Sequence, residues 1–182
     1  MAAAIALDDG LRMQTITSDL VIRPIARTDR ERLAEAFLEL SEDTRRRRFG
    51  GLANRLGARD LDRLTDIDHH EHEALAALAP GSGRIVGVAR YIALPDDPGA
   101  AEVAIAVNDE WQSRGIGRRL TRRLAERARD EGMTRLLAYV GVDNRRVLDW
   151  LARAGGVAFA RDGEAIVFAI PLNRPGVDRR AA

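Results

Sequence analysis

Cysteine and lysine are both missing from the 182 residues of this chain. Without cysteine there is no disulfide framework, no thiol nucleophile and no cysteine-ligated zinc. Without lysine, all 29 strongly basic side chains are arginines, and the chain offers no lysine of its own as an acceptor. Long apolar runs are missing too. No stretch approaches the roughly 20 apolar residues of a membrane-spanning helix. The short apolar run within residues 1–11 is broken by Asp8 and Asp9 and lacks the basic flank of a signal peptide. A charge surplus is also absent: 29 basic residues face 28 acidic ones, whereas a nucleic-acid binder carries a clear basic excess. Aromatics make up only 4 %, so Trp111 and Trp150 read as packing anchors rather than as a stacking platform. A cytoplasmic location, with neither membrane nor nucleic acid as partner, is the default expectation. Its length fits one domain, able to bury about two-thirds of the surface its unfolded chain exposes. The expected division is a tail over 1–18, a domain over 19–171 and a tail over 172–182.

Periodicity and turn residues supply the elements. Residues 20–25 alternate around apolar side chains and stop near Pro24, a short first strand. Thr28 or Asp29 can cap the helix that follows, in which Leu33, Ala36, Phe37 and Leu40 recur at helical spacing. Ser41 with Thr44 opens another helical piece carrying four consecutive arginines from Arg45 to Arg48, broken by Gly50 and Gly51; residues 56–66 read as a further short helix. Strands are expected over 73–79 and 84–94, joined by the turn Pro80-Gly81-Ser82-Gly83. Beyond a loop at 96–99, residues 102–107 alternate, with Val103, Ile105 and Val107 on one face and Glu102, Ala104 and Ala106 on the other. A long helix over 117–131 carries the apolar stripe Leu120, Leu124 and Ala128 and ends at Gly132. A strand over 135–140 follows, then a helix capped by Asn144 with Val147, Leu148 and Leu151 behind it, stopped by Gly155-Gly156. Two strands, 157–161 and 165–170, flank the hairpin signal Asp162-Gly163. This order gives an α/β fold with a mixed sheet and helices on its faces.

The segment that carries chemistry runs from Glu102 to Gly117. A strand ends at Val107, and Gln112-Ser113-Arg114-Gly115-Ile116-Gly117 leads into the long helix. The first N–H groups of a helix have no internal partner, and with the helix dipole they form a site for a pyrophosphate-like anion. Gly115 and Gly117 keep side chains out of the way, and Arg114, Arg118 and Arg119 can add charge-assisted bonds. A P-loop would need a lysine after its last glycine, and a dinucleotide fingerprint would need a glycine where Leu120 stands.

Gln112-x-x-Gly115-x-Gly117 after an apolar strand, with Asn144 ahead of a second helix, resembles the acetyl-CoA motif of the GNAT superfamily of N-acetyltransferases. The resemblance spans residues 20–170. It implies a single-domain GNAT fold, with a mixed, mostly antiparallel sheet of about seven strands flanked by about four helices. It implies acetyl-CoA as cosubstrate, no metal, and cofactor contacts from Ile105, Val107, Gln112, Ser113, Arg114, Gly115, Ile116, Gly117, Arg118 and Asn144. A narrower resemblance, to the GNAT domains of Pat-type bacterial protein lysine acetyltransferases, rests on several segments. They are Ser41-x-x-Thr44-Arg45 with Arg48-Phe49, Leu64-Thr65-x-Ile67-Asp68, residues 85–91 and Ala101-Glu102-Val103-Ala104. In that group a glutamate in the strand before the glycine loop is the base, and Glu102 is the matching residue. That group often carries an extra regulatory or acyl-CoA-synthetase domain, for which this chain has no room.

The implied reaction is direct transfer of acetyl from the thioester to an amine, a protein lysine or a small molecule. Glu102 takes the amine proton, aided by the raised pKa of a carboxylate in a mostly apolar sheet. A backbone amide near the strand end, that of Val107, polarises the thioester oxygen. The family's usual proton-donating tyrosine, seven residues after the asparagine, is replaced here by Leu151. Tyr139 is the substitute at hand, although a half-buried strand aromatic is the plainer reading. His69, His70 and His72 cluster with Asp68 and Glu71. Strand alternation would send His70 and His72 one way and His69 the other, which argues against a metal site. The run Arg45 to Arg48 spreads around a helix axis and reads as a solvated, salt-bridged helix. A small-molecule amine (a polyamine, an amino acid or an antibiotic) remains the alternative acceptor, and a non-catalytic acetyl-CoA-sensing module the alternative class. A monomer or homodimer is expected.

Overall fold

A computed structural model describes residues 20–49 and 55–172. The expected break at Gly50-Gly51 and the tail segments 1–18 and 173–182 lie outside the described residues, as do the side chains of Arg48 and Phe49. The strands are β1 (Val21–Pro24), β2 (His72–Leu78), β3 (Ile85–Ala93), β4 (Ala100–Val107), β5 (Arg135–Gly141), β6 (Val157–Asp162) and β7 (Ala165–Pro171). They form one seven-stranded sheet in the order β1-β2-β3-β4-β5-β7-β6. Every neighbouring pair is antiparallel except β4 with β5. The helices are α1 (Arg30–Leu38), α2 (Glu42–Phe49), α3 (Ala58–Thr65), α4 (Ile116–Asp130) and α5 (Arg145–Arg153). Among the described residues they number five, where the resemblance implies about four; the three between β1 and β2 match the three helical pieces expected there.

Alternation along the strands sorts the side chains onto two faces. Glu73, Leu75 and Ala77 of β2 register with Tyr91, Ala89 and Gly87 of β3, and these with Val103, Ile105 and Val107 of β4. This face receives α4 and α5. Leu120, Leu124 and Ala128 are fully buried there, each leucine contributing about 2 kcal/mol of transfer free energy. Leu136, Ala138, Leu151 and Phe168 complete the same cluster. A Cβ on Gly87 would come within 3.2 Å of Leu120 Cδ1, so the helix comes as close to the sheet as a glycine allows. Gly115 and Gly132 bracket α4 with positive φ values of 76° and 83°.

The opposite face carries Ala74, Ala76 and Val88, packed against Leu33 of α1 and Leu61 of α3. Asp29 stands before α1 as expected, but its buried carboxylate does not cap that helix. It turns back to accept from Ala26 N at 2.9 Å and pairs with both terminal nitrogens of Arg23, at 2.6 and 2.7 Å. The Arg23 guanidinium holds the Asp29 pKa below the ordinary aspartate value.

One feature of the sheet positions the site. The parallel β4–β5 pairing holds only at Ala100, Ala101 and Glu102, opposite Arg135, Leu136 and Leu137. Beyond it, β4 stays with β3 as far as Val107, and β5 stays with β7 as far as Gly141. The two central strands therefore splay apart and leave an unpaired edge on β4.

Candidate active site

The unpaired edge of β4 is polar. Asn108 N–H donates to Val86 O of β3 at 2.9 Å. Backbone groups alternate along a strand, so Val107, and Ile105 before it, turn their N–H and C=O groups away from β3 and into the opening. The side chains of both are half-buried against the α4 core. Of the residues assigned to the cofactor from sequence, these two therefore offer backbone rather than side-chain atoms.

At the end of β4 the chain makes a short 3-10 turn, Asp109–Trp111, and enters the loop. Gln112 is held rather than free: its Nε2 donates to Val107 O at 3.1 Å and to Asp109 Oδ1 at 3.3 Å. Ser113 takes a positive φ of 62°, an uncommon state for a side chain larger than glycine, and Gly115 adopts the left-handed conformation at the start of α4. Gly115 supplies no side-chain cap, so the first amides of α4, from Ile116 to Arg118, face the opening side of the loop with only the helix dipole to define their partner. Gly117 leaves clear space above the helix, its nearest neighbour being Val107 Cγ2 at 3.9 Å from an added Cβ.

The arginines divide differently from the sequence expectation. Arg118 is exposed beside the loop. The Arg114 guanidinium lies over the Trp111 ring, 4.9 Å from its centroid. Arg119 points away, its Nη2 donating to Leu20 O at 3.3 Å, because the helix carries it towards β1. In its place the structure brings Arg146 of α5, whose Nη2 donates to Ser113 Oγ at 2.9 Å. No spacing rule in the sequence marks Arg146; only the fold sets the start of α5 beside the loop. Asn144 caps α5, its Oδ1 accepting from Val147 N at 3.4 Å.

Helix α2 spans the opening. Asp109 accepts from Ser41 N and Ser41 Oγ, both at 3.0 Å, and from Thr44 Oγ1 at 3.0 Å. Burial works against the charge of this carboxylate, yet these bonds hold its pKa below the ordinary value. On the other side, Arg47 Nη2 reaches Asp143, just before Asn144, at 3.5 Å. The Ser41-x-x-Thr44 pattern thus ties α2 to the loop after β4. Within α2, Arg46 and Arg47 pair with Asp43, in keeping with a salt-bridged helix.

Glu102 lies on the face opposite α4, level with Ile92 of β3 and Leu137 of β5. Its side chain is exposed, so the burial expected of it is absent: the sheet face it stands on is open to solvent here, with Ile92 and Tyr139 exposed as well. Among the described residues no ion pair holds it. Tyr139 stands two residues beyond Leu137 on the same face and is 46 % exposed, so about half of it is open to solvent. Leu151, in the usual tyrosine position, is buried in the core. Beside Glu102 on the β3 side, Ala104, Ala106 and Val88 floor a narrow cleft of about 50 Å³, roofed by α1 and Leu64. Its polar lining is Arg90 and Asn108. Arg90 donates to His72 Nε2 at 3.0 Å and to Leu64 O at 3.3 Å, and Asn108 Nδ2 donates to Glu39 Oε2 at 3.0 Å.

The three histidines do not alternate along a strand, because His69 and His70 precede β2 and His69 has a positive φ of 61°. Each finds its own partner. His69 Nδ1 lies 2.8 Å from the buried Glu73, and His70 Nδ1 lies 3.0 Å from Glu131. Burial, with the Arg90 guanidinium beside it, lowers the His72 pKa, and Glu131 raises that of His70. Among the described residues no three metal-ligating side chains converge, and no helix is long and apolar enough to cross a membrane.

This architecture has relatives. A model of the acetyltransferase (GNAT) family matches residues 34–156. Over 154 residues the chain is 32 % identical to an acetyltransferase of Pseudomonas aeruginosa, covering 84 % of this chain and 78 % of that one. It is 30 % identical over 141 residues to the acetyltransferase Pat of Mycolicibacterium smegmatis, covering 78 % of this chain but 42 % of Pat, so it spans less than half of that relative's length. Among solved structures, the GNAT domain of S. lividans PAT superposes with a TM-score of 0.76 at 27 % identity, over 82 % of this chain and 89 % of that domain.

Proposed function

Because the chain belongs to the acetyltransferase (GNAT) family, we propose that it transfers acetyl from acetyl-CoA directly to a primary amine, with a protein lysine as acceptor. The observation that carries this reading is the splay of β4 from β5 above an uncapped helix start. It puts unpaired backbone amides and an anion-favouring helix terminus along one continuous opening. The residues present suit the cosubstrate: the amides at 116–118 with Arg118 and Arg146 for its phosphates, and the Ile105 and Val107 backbone for its extended amide arm.

Acetyl-CoA supplies an acyl thioester whose carbonyl carbon is the electrophile. The Val107 N–H, aimed into the opening, stabilises the oxygen as it gains charge. Glu102, on the acceptor side of β4, takes a proton from the attacking amine, directly or through one water. Tyr139, exposed across the splay on the same face, returns a proton to the departing sulfur in place of the residue that Leu151 replaces. Gln112, braced on Val107 O and Asp109, keeps the loop and the strand end in register. The similarity to Pat supports a lysine acceptor.

Turnover of acetyl-CoA by Glu102→Gln tests the base directly. The rate should fall by about a hundredfold or more, as for loss of a general base, with the melting temperature unchanged. A variant retaining full activity on lysine peptides removes Glu102 from the mechanism. Thermal melting with acetyl-CoA, CoA and ATP tests the cosubstrate. Saturation at about a hundred times the dissociation constant adds about 2.7 kcal/mol, and ATP should add little. Spermidine as a better acceptor than a lysine peptide would replace the protein-lysine reading with the small-molecule one.

A further inference from the structure

The cleft between α1 and the β3–β4 pair serves no step of the reaction proposed above. It adjoins β4 at Ala104 and Ala106, the two residues between Glu102 and the strand end, on the face opposite α4. Its walls are aliphatic and aromatic, with Leu33, Phe37 and Leu64 above and Val88, Ala104 and Ala106 below. The side chains in the floor are small, which creates the space. The polar groups that reach it are already partnered within the protein: Arg90 with His72 and Leu64 O, and Asn108 with Glu39 and, through its Oδ1, with Glu110 N at 3.2 Å. No buried side-chain nitrogen or oxygen among the described residues lacks a hydrogen bond. The cleft therefore makes no demand for a polar ligand and rewards an apolar one. A cationic acceptor chain would gain nothing from these walls and would meet Arg90.

We infer that this cleft is an acyl-chain pocket, and that the protein accepts thioesters longer than acetyl, of the propionyl and butyryl class. The inference rests on the acetyltransferase reading, since it is the thioester carbonyl at the Val107 edge that would place an acyl tail against Ala106 and Ala104. The chemistry is unchanged. The amine nitrogen bonds to the carbonyl carbon, the carbon–sulfur bond breaks, and the proton lost by the amine ends on the thiol. The amine enters from the side of Glu102, Ile92 and Tyr139, where the face is open to solvent, so tail and acceptor do not compete for one space.

Calorimetric titration of the full chain with CoA, acetyl-CoA, propionyl-CoA and butyryl-CoA measures this without turnover. Each methylene buried in an apolar pocket should tighten binding by about fourfold, hence by about 15-fold from acetyl to butyryl. The kcat/KM values on a lysine peptide should follow the same order. Equal affinities along the series, or affinities that fall with length, overturn the pocket while leaving the acetyltransferase reading intact. No binding of CoA or acetyl-CoA at all removes that reading and the pocket with it. Filling the cleft with Val88→Phe should reduce the butyryl-to-acetyl affinity ratio to near one; should that variant not fold, Ala36→Leu narrows the same space from α1. A ratio unaltered in a folded variant shows that the tail lies elsewhere and ends the proposal.

Discussion

The two ends of α4 are built from similar materials and come out differently. At the C-terminal end, Arg127 donates to the buried Glu73 at 3.1 Å and lies 3.4 Å from Glu131. Glu73 also meets His69, Glu131 meets His70, and the Tyr91 hydroxyl donates to His70 O at 2.9 Å. Burial pushes the Tyr91 pKa up to about 12, so this hydroxyl stays a donor across the physiological range. At the N-terminal end, a left-handed glycine starts the helix without a side-chain cap, and arginines stand around it. The C-terminal network is closed on itself and fastens the helix to β2. The N-terminal end leaves donors without a side-chain cap, available to water or to an anionic ligand. Charged side chains at a helix end are therefore no guide to function until one asks which of them are already satisfied.

If that distinction is right, damage at the two ends should separate stability from binding. Glu73→Ala should have the largest effect. It leaves Arg127 facing an unfilled buried site, at about 3 kcal/mol, the lower end for a broken buried pair because Arg127 is 38 % exposed. The melting temperature should drop by about 6–12 °C, with acetyl-CoA affinity unchanged in the cold; a drop in affinity instead would break the comparison. Gly115→Ala should do the reverse. Nothing lies within 4 Å of the added methyl, so the effect is backbone strain of about 1 kcal/mol and a displaced amide. Losing one hydrogen bond to a charged phosphate weakens acetyl-CoA binding by about tenfold, measurable by calorimetry. Arg146→Ala frees Ser113 and should cost about three- to fivefold in the same titration, within the range of one exposed charged contact, with little change in melting temperature.

The smallest effect is expected at His70. Its pKa is raised by the Glu131 carboxylate, so its contribution to stability is fully present below the ordinary histidine value of about 6.5. That contribution is lost as pH rises through the higher folded value. His70→Gln should therefore melt slightly earlier than the parent at pH 5.5 and together with it above pH 9, with no change in acetyl-CoA affinity at either pH. A gap that persists at alkaline pH would mean that the ring acts by packing and not by charge.

Much of this was legible beforehand, for identifiable reasons. The stripe Leu120, Leu124 and Ala128 is strictly periodic, and all three residues are fully buried. Asn144, Gly132 and the Asp162-Gly163 turn are local signals that tertiary packing had no cause to override. What failed depended on neighbours distant in sequence. An apolar setting is the expectation for Glu102, but whether a strand residue is covered depends on what packs over its face of the sheet, and that face is open to solvent at Ile92, Glu102 and Tyr139. Its place just after the glycines suggests Arg119 for the phosphates, yet one further step around the helix turns it towards Leu20. Strand alternation, expected across the three histidines, begins only at His72. Asp109 and Arg146 were missed as partners of Ser41, Thr44 and Ser113 because those contacts join segments 33 to 68 residues apart.

By itself, the sequence determined the element order, the faces of α4 and β4, and the glycine that frees the start of α4. Each of these follows from backbone sterics and from apolar spacing within one element. It also carried the family, because Gln112, Gly115 and Gly117 are close enough together to be read as a unit. The tertiary structure alone decided where β4 and β5 part, which arginines reach the opening, that α2 ties its two sides, and that an apolar cleft lies beside Glu102. Those features depend on the angle between packed elements and on which polar groups find partners first. Neither quantity is local, so no window of sequence contains it.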